Sequence, residues 1–145
     1  MNKHTLEGKR VLIVEDNELF SRLVFELLKE EKMEPFTATD LTEAFKIMEK
    51  TSIDLIFLDI RLQNENGLDI LPDFKKKYPE VPVVVLTGMG YDSNMMKTAI
   101  DRGAATYFSK ENDLRDLLGL ADRLISKHWY FDERSLPKAS KKHPH

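Results

Sequence analysis

Five side chains with chemical potential follow short apolar runs. Glu15 and Asp16 follow Val11–Val14, Asp59 follows Leu55–Leu58, Thr87 follows Val81–Leu86, and Lys110 follows Ala105–Ser109. If the runs lie side by side and point the same way, three carboxylates, a hydroxyl and an ammonium meet in one small area. Carboxylates that close repel one another and hold protons unless a cation intervenes. A hard divalent ion with oxygen ligands answers that need, and Mg²⁺ is the natural candidate. A lysine offers a point charge to a phosphoryl oxygen, and a threonine hydroxyl can donate to another. One aspartate would then be a phosphoryl acceptor, since carboxylates serve as nucleophiles in such chemistry. Taken singly, each residue has an ordinary reading: acids at a helix start, a turn aspartate, a strand threonine, a solvated lysine. The joint placement is what carries the expectation.

The elements needed to position these groups are legible. Each apolar run reads as a strand buried on both faces, and each is followed by a segment of helical period. Asn17 begins a helix whose apolar positions include Leu19, Phe20, Leu23, Val24, Leu27 and Leu28. Glu34–Thr39 is a weaker strand, and Asp40 or Thr42 caps the next helix. Gln63–Gly67 is a polar turn, followed by a short helix to Lys77 with Pro72 expected in its first turn. A helix from about Asp92 ends at Gly103, and Asn112 or Asp113 caps the last. Five βα units predict an α/β fold, an open doubly wound parallel sheet covered on both faces. Such sheets bind ligands beyond the carboxyl ends of their strands, where the five side chains stand.

Composition narrows the function classes. Lys and Arg number 22 against 25 Asp and Glu, a formal net charge of −3, so the domain as a whole is not expected to bind nucleic acid directly. There is no cysteine, which excludes disulfides, thiolate metal sites and a cysteine nucleophile. No apolar run nears the roughly 20 residues of a membrane span. Met1–Arg10 lacks an apolar signal core, and the chain is expected to be cytoplasmic. His4, His128, His143 and His145 have no metal-ligand spacing in a structured element. Gly88-Met89-Gly90 is too short for a phosphate-binding loop.

The stretches Val11–Asn17, Asp54–Asp59, Gly67–Leu71, Val83–Gly88 and Gly103–Lys110 together resemble the receiver domain of two-component response regulators, of the single-domain, chemotaxis-regulator type. The resemblance implies a flavodoxin-like sheet of five parallel strands in the order 2-1-3-4-5. It also implies roles. Asp59 accepts the phosphoryl group from the phosphohistidine of a sensor histidine kinase or a histidine phosphotransfer protein. Mg²⁺ is held by Asp16, by Asp59, by the Arg61 backbone carbonyl, and by Glu15 through a water. Lys110 contacts Asp59 and later a phosphoryl oxygen. Thr87 swings toward the phosphoryl group and Tyr107 turns inward with it. Gly88 permits phosphoryl access, and Gly67 belongs to the loop before the next helix.

The family's proline after the lysine is Glu111 here, so a trans Lys110–Glu111 bond is expected. Its frequent proline four residues after the acceptor is Gln63, which predicts a looser loop. The receiver is expected over 9–127, with a short lead over 1–8 and a basic flexible tail over 128–145. So short a tail suggests a stand-alone switch acting by contact with a downstream protein target. Two other readings use the same fold. A phosphorylation-independent interaction module would lack an acid or the lysine, and none is missing. A phosphatase acting on an external ester would want a general acid at Arg61, which cannot serve, so the chain is not expected to be a turnover enzyme.

Overall fold

The computed structural model describes residues 6–88 and 93–126. The β-branched run Arg10–Val14 forms β1, buried from Val11 onward. Asn17 then starts α1 (Glu18–Glu30), its side chain accepting the Phe20 N–H at 2.9 Å. β2 (Glu34–Ala38) leads to α2 (Leu41–Lys50), capped by Asp40, which accepts the Glu43 N–H at 2.8 Å. β3 (Leu55–Asp59) is followed by a small antiparallel hairpin, β4 (Arg61–Leu62) and β5 (Glu65–Asn66), and by α3 (Gly67–Lys77). β6 (Val83–Thr87), α4 (Ser93–Asp101), β7 (Thr106–Ser109) and α5 (Asp116–Ser126) complete the order.

The main sheet runs β2-β1-β3-β6-β7 with every pair parallel. Leaving out the hairpin, this is the expected order 2-1-3-4-5. Strand side chains alternate between two cores. Val11, Ile13, Leu55, Phe57, Val84 and Leu86 pack with Val24 and Leu28 of α1 and Leu117, Ala121 and Leu124 of α5. Leu12, Val14, Ile56, Leu58, Val83 and Val85 pack with α2, α3 and α4 through Ala44, Met48, Leu71, Phe74 and Ala99. Leu6, within the expected lead segment, is fully buried in the first of these cores. No helix among the described residues is long and apolar enough to cross a membrane.

Four local expectations change. Leu19 and Leu23 are 68% and 48% exposed, because the buried stripe of α1 runs through Ser21, Val24 and Leu28. α3 starts at Gly67, which puts Pro72 in its second turn rather than its first. Proline has no N–H, so the Leu68 carbonyl four residues earlier loses its helical donor. The Arg102 guanidinium replaces it at 2.8 Å. α5 begins at Asp116; Asp113 instead accepts the Arg115 N–H in a turn just before it. The loop after β3 is closed rather than loose. It is paired as a hairpin, and the Gly67 N–H reaches the Ile60 carbonyl at 2.7 Å. The Lys110–Glu111 bond is trans. His4, His128, His143, His145, the basic tail, Asp92 and Met89-Gly90 lie outside the described residues.

Candidate functional site

Parallel pairing brings the strand ends level. Asp59 is in register with Leu86, and Thr87 with Ser109. The Glu15 N–H bonds the Ala38 carbonyl, and the Lys110 N–H bonds that of Thr87 at 2.7 Å. The carboxyl edge of the sheet therefore carries Glu15, Asp16, Asp59, Thr87 and Lys110 together, as their spacing predicted.

The Asp59 carboxylate is held at both oxygens. Oδ1 accepts the Arg61 N–H at 3.1 Å and Oδ2 accepts from Lys110 Nζ at 3.1 Å. Lys110 also pairs with Glu15 Oε1, while Glu15 Oε2 accepts the Asn17 N–H at 2.9 Å. Glu15, Asp59 and Thr87 are buried. One carboxylate oxygen each from Glu15, Asp16 and Asp59 lie within 4.8 Å of one another. Burial pushes the Glu15 carboxyl up to about 7, against the pull of Lys110 and the Asn17 N–H, and Asp59 adds to the rise. Burial opposes the charge on Lys110, but its bonds to Glu15 and Asp59 outweigh this and hold the ammonium above its ordinary range. Three convergent hard oxygen donors, two of them withdrawn from water, match what a divalent cation such as Mg²⁺ requires. These acids could hold a metal ion.

The remaining predicted residues occupy distinct positions. Gly67 abuts the acceptor: a Cβ there would stand 2.5 Å from the Asp59 carbonyl oxygen, so only glycine fits. At Gly88 a Cβ would meet the Lys110 stem at an ordinary 3.7 Å. Asp59, Arg61, Thr87, Gly88 and Met95 line a small surface pocket. Tyr107 is 36% exposed and shares with Thr87 and Met96 the wall of a cavity of about 310 Å³.

The sequence did not point to Phe20 as part of this site. Its ring centroid lies 4.7 Å from Lys110 Nζ, which also meets Glu15 and Asp59. Its helical spacing reads as core packing, and nothing in the pattern distinguishes it.

The fold and the acid site together define a receiver. Residues 11–122 match the response regulator receiver domain, and the chain belongs to that family. It is 38% identical over 102 residues to a response regulator of Rickettsia felis described as NtrX-like, covering 69% of this chain and 21% of that one. It is 35% identical over 117 residues to the nitrogen assimilation regulatory protein NtrX of Azorhizobium caulinodans, covering 79% of this chain and 26% of that one. The chain thus spans about a fifth to a quarter of the length of these relatives. Among solved structures, the receiver domain of NtrX from Brucella abortus superposes with a TM-score of 0.75 at 34% identity, over 80% of this chain and 98% of that one. Receiver domains are signalling modules of two-component systems, not enzymes turning over external substrates.

Proposed function

We propose that the chain is a phosphorylation-dependent switch that takes a phosphoryl group onto Asp59. The observation that carries this reading is the Asp59 carboxylate, fixed by the Arg61 N–H and Lys110 Nζ beside Glu15 and Asp16. The donor is a phosphohistidine of a sensor kinase or phosphotransfer protein. An Asp59 oxygen attacks phosphorus, the P–N bond breaks as the P–O bond forms, and the departing imidazole nitrogen takes up a proton. Asp16, Asp59 and the Arg61 carbonyl would hold Mg²⁺ directly, with Glu15 acting through a water. When bound, the ion neutralises charge on the phosphoryl oxygens. Lys110 exchanges its contact with Asp59 for one with a phosphoryl oxygen, and the Thr87 hydroxyl donates to another. The phosphorylated domain signals by contact with a protein partner.

Intact mass after incubation with acetyl phosphate and Mg²⁺ tests the acceptor. Wild type is expected to gain one phosphoryl group and Asp59→Asn none. Equal modification of the two proteins would exclude Asp59.

A further inference from the structure

The hairpin after β3 has more to do than close a loop. Its first residue, Arg61, gives its N–H to Asp59 and is the residue whose carbonyl is proposed to face the metal. The ribbon's ladder has two residue pairs, Arg61 with Asn66 and Leu62 with Glu65, closed at its base by the Gly67 N–H on the Ile60 carbonyl. A two-stranded ribbon is marginal on its own even when longer.

Leu62 packs the ribbon into the core, and one side chain of the ribbon reaches out to a neighbouring helix. The Glu65 carboxylate accepts the Leu41 N–H at 3.0 Å, across 24 residues of sequence. Leu41 is the first residue of α2, and its N–H has no partner within the helix. The cap of α2 is otherwise occupied: Asp40 takes the Glu43 N–H, and the Glu43 carboxylate turns back to the Thr39 N–H at 2.8 Å. Leu41 is left for an acceptor from elsewhere, and a carboxylate suits the positive end of the helix. Glu65 is half-buried, so the bond is partly shielded from water.

We infer that Glu65 is a positioning residue of the acid site, mooring the hairpin to α2 and so fixing the Arg61 main chain against Asp59. The inference rests on the metal-binding reading above. It accounts for a paired loop at the point where Gln63 stands in place of the family's proline. If Glu65 were only a helix cap, its loss would lower stability and leave the Arg61 main chain and metal affinity as they are.

The test uses the full chain as wild type, Glu65→Ala, Glu65→Gln and Asp16→Ala. Amide exchange is read without metal, Mg²⁺ is titrated by amide NMR, and urea denaturation reports stability. In Glu65→Ala the Leu41 and Arg61 amides are expected to exchange faster and Mg²⁺ to bind about tenfold more weakly, the scale of outer-shell partners. Glu65→Gln, whose amide oxygen can still accept, should recover most of both effects. Should Glu65→Ala not fold, Glu65→Asp, one methylene shorter, carries the same expectations in milder form. Normal Mg²⁺ affinity in Glu65→Ala beside a large loss in Asp16→Ala overturns the role of Glu65 alone. Normal affinity in Asp16→Ala instead overturns the metal reading. Exchange at Arg61 still decides the positioning in that case, and an unchanged Arg61 amide refutes it.

Discussion

Glu15 is where burial and charge compete most openly. Its carboxyl is pushed up to about 7 from an ordinary 4.5, chiefly by burial. A group with a raised folded pKa binds extra protons in the folded state between the two values. The stability it contributes is full below about pH 4.5 and is lost as pH rises through about 7. The metal-free protein is therefore expected to melt at a lower temperature at about pH 7.5 than at about pH 5, with a shallower fall in Glu15→Gln. A cation must displace the same proton, so stabilisation by Mg²⁺ should grow across that window. Thermal melts over pH, with and without Mg²⁺, check both. An identical pH slope in wild type and Glu15→Gln would show that another group titrates. The acids themselves were legible in the sequence because each follows an apolar run at a strand end. Phe20 was not, since a residue that touches Lys110 in space has the same helical spacing as one that packs in a core.

The helices show what pattern reading resolves and what it does not. Pro72 sits in the second turn of α3, leaving the Leu68 carbonyl without its backbone donor, and Arg102 supplies one from the end of α4. Its accompanying contact with Asp69 is an exposed ion pair of small worth. Arg102→Ala is expected to cost about 1 kcal/mol, the scale of a polar group left unpaired. In a Pro72→Ala background the helix has its own N–H for Leu68, and the cost should shrink toward zero. Chemical denaturation of the four proteins of this double-mutant cycle gives the coupling directly. Equal costs in both backgrounds would mean that Arg102 acts through something other than the Leu68 carbonyl. The proline was visible in the sequence, but the compensating arginine lies 34 residues from Leu68 and only the fold joins them. The hairpin was missed for a related reason. Two paired residues give no periodicity, and the bond from Leu41 to Glu65 is long-range. The three central strands, by contrast, were readable because burial on both faces makes them continuously apolar, whereas the edge strands β2 and β7 are only partly buried and gave weaker signals.

Across the whole molecule, the acid site lies at the carboxyl end of a sheet whose two faces belong to separate cores. β6 ends at buried Thr87, and its neighbour β7 is the sheet edge carrying half-exposed Tyr107. Thr87 and Tyr107 both line an open pocket of about 310 Å³, and in the proposed switch the ring would enter it as the threonine hydroxyl turns toward a phosphoryl group. Tyrosine suits both positions, with its hydroxyl in water outside or on a polar partner inside. In that proposal, phosphorylation would bias a two-state element by giving one state a contact the other lacks. The metal-free protein is expected to sample the inward ring at roughly 0.1–10%, as minor states do. Beryllofluoride with Mg²⁺, standing in for the phosphoryl group, should make that state dominant. In Thr87→Ala, beryllofluoride should still bind Asp59 while the Tyr107 ring stays where it was. Ring resonances of Tyr107, with relaxation dispersion on β7 and α4, measure all three. A ring environment that beryllofluoride leaves unchanged in wild type would refute the switch, and one that shifts equally in Thr87→Ala would route it through a residue other than the threonine.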